Sequence, residues 1–186
     1  MRERKRFLPP GWYPSGAEGV TDAIKAMARS FTRRPPEHGI AGVIPHAGWE
    51  FSGGLAFEVM SCLSRSIDTI VIIGGHLGPS DGILCAMEDT FQTPLGSLHA
   101  DGWLRDTVSR PLALQEDSCA DNSVEIQLPF AKYLFPDAGM LWLRAAPSEE
   151  AVKLGVALAA AGREGGRCLA IVGSTDLTHY GPNYGF

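Results

Sequence analysis

Three short runs of branched apolar residues, each followed within a few positions by a histidine, constrain this chain more than any other feature. Gly39-Ile40-Ala41-Gly42-Val43-Ile44-Pro45 leads to His46, and Ile70-Val71-Ile72-Ile73-Gly74-Gly75 leads to His76. Leu169-Ala170-Ile171-Val172-Gly173-Ser174 leads, a little later, to His179. Apolar runs bounded by glycine or proline read as strands buried on both faces, the pattern of parallel sheet. Helical periodicity fills the intervals. Val20, Ile24, Met27 and Phe31 share one helical face, closed by Arg33-Arg34-Pro35-Pro36. A second helix opens at Ser52-Gly53-Gly54, and another is capped by Ser148, carries Glu149 and Glu150 in its first turn and ends near Gly162. This alternation predicts one α/β domain over residues 1–186, with a mainly parallel central sheet flanked by helices. Ligands collect outside the carboxyl ends of such strands. If the three strands are neighbours, the three imidazoles converge.

The remaining stretches give weaker signals. Ile83 to Met87 and Met140 to Leu143 are strand candidates, and Asp101 can cap a helix reaching Ser109. A helix over about Val124 to Leu134 should be shortened or kinked by Pro129. Phe91 to Gly96 has turn chemistry, and the basic start (Arg2, Arg4, Lys5, Arg6) reads as a solvated tail.

A net charge of −5 argues against nucleic-acid binding as the main task. No apolar run is long enough to span a bilayer, and the first residues lack the apolar stretch of a secretory signal. Cys62, Cys85, Cys119 and Cys168 are too scattered for a Cys-x-x-Cys site, so buried free thiols in a reducing, cytoplasmic setting are expected.

Neutral imidazole is the commonest protein ligand of zinc, iron and copper. Three imidazoles (His46, His76, His179) suit zinc, whereas two with a carboxylate suit non-haem Fe(II) with open positions. One histidine alone would more often be a strand-end cap; three in the same topological position favour a site. His38 and His99 lack this context and are expected at the surface. Glu125 could supply a carboxylate ligand or general base, and Asp176 could orient an imidazole through its second nitrogen. The plainer alternatives are helix-start capping for the Asp121 to Glu125 segment and a loop turn for Asp176. Glycines near the histidines match neither Gly-x-Gly-x-x-Gly nor the Walker pattern. Trp12, Tyr13, Trp49, Phe51 and Tyr180 could wall a pocket.

Trp12-Tyr13-Pro14, the run from Pro45 to Gly53, Thr93-Pro94-Leu95-Gly96, Asn122 to Phe130 and Ser174 to Gly181 together resemble the Memo family, called AmmeMemoRadiSam system protein B in bacteria and archaea. The resemblance implies a fold similar to that of class III extradiol dioxygenases, which use Fe(II). It implies His46 and His76 as metal ligands and His179 as a third imidazole, with copper or zinc as alternative metals. AMMECR-type and radical S-adenosylmethionine proteins are the implied partners. Two positions depart from the pattern: Asn122 stands where the family usually has histidine, and the family's cysteine ligand lies in a segment beyond Phe186. The chain therefore reads either as a C-terminally truncated member, whose exposed apolar surface a partner or a second copy would cover, or as one whose metal site is completed by water or a carboxylate. Three functions follow: an Fe(II) enzyme activating oxygen on a small, catechol-like substrate with His179, Asp176 and Glu125 as catalytic groups; a metal-holding module that recruits a partner; or a scaffold with vestigial histidines.

Overall fold

The computed structural model describes residues 1–32, 36–176 and 179–185. The chain opens with β1 (Glu3–Arg4) and α1 (Ala17–Ser30), then β2 (Ala41–Ile44), a wide π-type turn (Trp49–Gly53) running into α2 (Gly54–Ser61), and β3 (Thr69–Gly74). There follow β4 (Ile83–Cys85), β5 (Thr90–Thr93), β6 (Gly96–His99), α3 (Gly102–Ser109) and β7 (Leu114–Glu116). The second half holds α4 (Asn122–Glu125), α5 (Leu128–Leu134), β8 (Gly139–Ala145), α6 (Glu149–Gly165) and β9 (Leu169–Ser174).

The main sheet has the order β2-β9-β3-β8-β4-β7. Its first four strands are parallel, as the apolar runs predict, but β4 pairs antiparallel with β8 and parallel with β7. The sheet is therefore mixed, with two reversed strands at one edge. Because successive strand residues point to opposite faces, one apolar run feeds two layers. Ile70, Ile72, Met140, Trp142, Ala170 and Val172 join the layer containing Val20 and Ile24 of α1, Met60 of α2 and Phe130 of α5. Val71, Leu141 and Leu143 face the other way, onto Leu104 and Val108 of α3 and Leu154 and Leu158 of α6. Ile70, Val71 and Ile72 are fully buried, each stabilising the fold by roughly 1.5–3 kcal/mol.

Helix ends follow local chemistry where a cap exists. Asp101 Oδ1 accepts from the Leu104 amide at 2.9 Å and Ser148 Oγ from the Ala151 amide at 3.3 Å. Four expectations are corrected. The helix predicted from Val124 to Leu134 is two helices, because Pro129, lacking an amide hydrogen, is placed in the first turn of α5. The C-terminal glycine of α6 is Gly166 at φ +60°, not Gly162, which lies inside the helix. Phe91 to Gly96 contributes to a hairpin, with Pro94-Leu95 between β5 and β6. The N-terminus is not a free tail: β1 pairs parallel with β5, and the Arg4 guanidinium lies 4.6 Å over the Trp142 ring and 3.2 Å from Glu88. All four cysteines are free, but only Cys85 is buried; Cys119 and Cys168 are exposed. Among the described residues, no helix is long and apolar enough to cross a membrane.

Candidate functional site

Strand order creates the site. β9 lies between β2 and β3, so the segments leaving the carboxyl ends of these three parallel strands emerge side by side. They carry His46, His76, Asp176 and His179, which line one cavity of about 560 Å³ together with Trp12, Phe51 and Asn122. Gln127, buried beneath them, ties the strand ends together by donating to the Pro45 carbonyl at 2.7 Å and Ser174 Oγ at 3.2 Å.

His46 and His76 meet edge to face, with ring centroids 4.7 Å apart and an interplanar angle of 77°. Their Nε2 atoms are 3.1 Å apart. His46 is buried; its backbone amide donates to Asp176 Oδ1 at 2.7 Å, its carbonyl accepts from Asn122 Nδ2 at 3.1 Å, and its Nδ1 is 3.4 Å from Ser174 Oγ. Burial, with the neighbouring His76, lowers the proton affinity of His46 despite the opposing pull of Asp176. That environment favours the neutral ring. His76 is half exposed, and its Nδ1–H donates to Asp121 Oδ2 at 2.9 Å, which turns Nε2 towards His46. His76 also carries the one positive φ (+60°) of a non-glycine residue among those described, a conformation that costs about 1–3 kcal/mol and persists only where the surroundings impose it.

Asp176 bridges two imidazoles: its Oδ2 is 3.9 Å from His46 Nε2 and 3.4 Å from His179 Nε2. Leu177 and Thr178, which join Asp176 to His179, lie outside the described residues. Glu125, the other carboxylate singled out from the sequence, is used elsewhere. It is buried, does not line the cavity, and accepts hydrogen bonds from the amides of Phe7 and Leu8 and from the Tyr13 hydroxyl at 2.9 Å. It anchors the segment that presents Trp12 to the site. Of the candidate aromatics, Trp12 and Phe51 line the cavity, Tyr13 and Trp49 are core, Trp49 stacking on Phe130 at 4.0 Å, and Tyr180 is exposed. His38 and His99 are exposed, as expected.

Sequence reasoning missed the support behind His76. Asp121 caps α4 through Ser123, and hydrogen bonds from Ser123 and His76 with the Arg144 charge hold its carboxyl below the usual range against the effect of burial. Arg144 ends the run Met140-Leu141-Trp142-Leu143; a charge at the end of so apolar a strand was the signal that could have exposed it. Gly74 is demanded by this packing, since a Cβ there would lie 2.1 Å from Ser123 Oγ.

The Memo-like protein family matches residues 8–186. This chain belongs to the Memo family. A MEMO1 family protein of Pyrobaculum arsenaticum is 34% identical over 98% of this chain and 71% of its own length. One from Thermococcus onnurineus is 35% identical over 89% of this chain and 63% of its own, and one from Methanothermobacter thermautotrophicus 35% over 88% and 59%. This Memo-type chain thus spans roughly three fifths to seven tenths of the length of those relatives.

The donor set was tested against a metal. Two ligand nitrogens on neighbouring positions of one ion, each about 2.0–2.1 Å from it, stand about 3 Å apart, and the Nε2 pair at 3.1 Å meets that spacing. Among the described residues, no three His, Cys, Asp or Glu side chains form a ready-made cage. The spacing is compatible with two imidazole ligands of one ion and equally with an N–H···N hydrogen bond between the two rings.

Proposed function

We propose that this chain is a metal-binding Memo-type protein whose non-haem ion is held by His46 and His76 at the carboxyl ends of β2 and β3, with redox or oxygen chemistry on a small substrate in the adjoining cavity. The observation carrying this reading is the 3.1 Å approach of two Nε2 atoms whose opposite nitrogens are occupied by Asp121 and Ser174. Iron(II) is the first choice, because two imidazoles with a nearby carboxylate, Asp176, suit it; copper and zinc are the alternatives. A bound ion would polarise a coordinated oxygen and, if iron or copper, exchange electrons. His46 and His76 offer neutral lone pairs, and Asn122 fixes the His46 carbonyl. His179, half exposed and 3.4 Å from Asp176 Oδ2, is placed to give or take a proton in the cavity. Trp12 and Phe51 supply apolar walls.

A second reading, a non-catalytic module that recruits a partner such as an AMMECR-type or radical S-adenosylmethionine protein, is favoured by Val43, Phe51 and Leu55. All three are exposed and line a second cleft beside the site. The deciding experiment is elemental mass spectrometry on anaerobically purified, Fe(II)-loaded protein beside a His46→Ala/His76→Ala variant. About one iron per chain, lost in a variant that still unfolds cooperatively, is expected; equal metal in both sinks the assignment. Oxygen uptake with a panel of catechols then separates turnover from recruitment.

A further inference from the structure

We propose that Arg144 is a positioning residue for His76, setting the orientation of a ring it does not touch. Its guanidinium is almost wholly buried. Nε and Nη2 donate in parallel to Asp117 Oδ2 and Oδ1, both at 3.0 Å. Nη1 lies 3.1 Å from Asp121 Oδ2, the oxygen that accepts from His76 Nδ1, and donates to the Gly75 carbonyl at 3.3 Å. One side chain therefore grips both things that orient the ring: its carboxylate partner and the peptide just before its left-handed backbone. Gly75 is held from its other end as well, its amide donating to Ser123 Oγ at 3.2 Å. Local sequence gives no reason for a histidine at φ +60°; these surroundings impose it.

The fork explains why arginine stands here. Two nitrogens are taken by Asp117 while a third serves Asp121 and Gly75, and a lysine ammonium on a flexible stem cannot reproduce that plane. Asp117 is fully buried and braced by Trp142 Nε1 at 2.9 Å, so the fork rests on a fixed base. The cluster sets two carboxylates against one guanidinium, and the excess negative charge faces His76, where a cation is the complementary ligand.

The inference rests on the metal reading for its affinity measurement only. Co(II) binding is measured by competition titration and visible absorption for wild type, Arg144→Lys and Asp121→Ala; imidazole ¹⁵N shifts are recorded on the metal-free proteins. Expected for both variants are roughly 10–100-fold weaker Co(II) binding, an altered Co(II) spectrum, and loss of the single Nδ1–H signature of His76. If Asp121→Ala shows these changes and a folded Arg144→Lys shows none, Asp121 acts alone and the proposal falls. Should Arg144→Lys not fold, Asp117→Asn loosens the same fork at constant volume, and wild-type behaviour there overturns the proposal equally. A wild type that takes up no Co(II) sinks the metal reading, while the ¹⁵N comparison still decides Arg144.

Discussion

The two ends of the main sheet are built from the same vocabulary and put it to different use. At the amino ends, Asp101 accepts from Thr69 Oγ1, Leu104 N and Arg167, whose guanidinium stacks 4.9 Å from the Trp103 ring. At the carboxyl ends, Asp121 accepts from Ser123, His76 and Arg144. Both are buried aspartates that cap a helix and pair with an arginine, Arg167 just before β9 and Arg144 near the end of β8. At the amino end, the three partners given for Asp101 all serve the fold, joining α3 to β3 and to the start of β9. At the carboxyl end the network terminates in an imidazole whose second nitrogen faces His46 in a cavity. A buried ion network is therefore not itself a mark of function; the two networks differ in that only the second ends on a side chain that lines a cavity.

Four changes would break or sharpen that contrast. The largest effect on stability is expected from Asp101→Ala, which removes a helix cap and leaves the buried Thr69 hydroxyl and Arg167 short of a partner. A loss of about 3 kcal/mol by urea denaturation is expected, with iron content unchanged; loss of metal without loss of stability would erase the distinction between the ends. Asp176→Ala should act chiefly on the metal, weakening its binding roughly 10–100-fold in a titration, with a smaller loss of about 1–2 kcal/mol because the His46 amide loses its acceptor. Unchanged affinity would reduce Asp176 to a loop turn.

Glu125→Gln should release the N-terminal segment. Faster hydrogen exchange at Phe7 and Leu8 and a loss of about 1–2 kcal/mol are expected, and a metal deficit of the size seen with Asp176→Ala would return Glu125 to the site. The smallest effect is on pH dependence. Burial holds the folded-state pKa of His46 below its ordinary 6.5, so below that pH the unfolded chain binds more protons than the folded one. In metal-free protein this contribution is complete above pH 6.5 and is lost as pH falls towards the depressed value. His46→Gln should flatten the stability profile there, and an identical slope in both proteins would show that His46 is not held neutral.

Much of this was legible in the sequence because it is written locally. The apolar runs named β2, β3 and β9, Asp101 and Ser148 are caps where the sequence places them, and strand–helix alternation implied a parallel sheet on which the histidines would converge if those strands were neighbours. The reversed β4 escaped notice because a three-residue strand carries no mark of its direction. Arg4 looked like tail because its reason for being ordered, the Trp142 ring and Glu88, lies far along the chain.

The choice among carboxylates shows the boundary most clearly. Glu125 and Asp176 stood out as acids near the histidines while Asp121 read only as the start of a capping segment, and nothing within a few residues of each says which imidazole, if any, it will meet. Periodicity, caps and proline positions act over one or two helical turns, so the sequence by itself determined the longer helices and the apolar strands whose carboxyl ends carry the histidines, but not β1, the β5–β6 hairpin or β7. Strand order and the packing of α4 on β3 act across separations of 45 residues for His76 and Asp121 and 130 for His46 and Asp176. Only the tertiary structure could hand Glu125 to the N-terminal segment, Asp121 to His76 and Asp176 to the pair His46 and His179, because those partnerships are fixed by which backbones lie side by side.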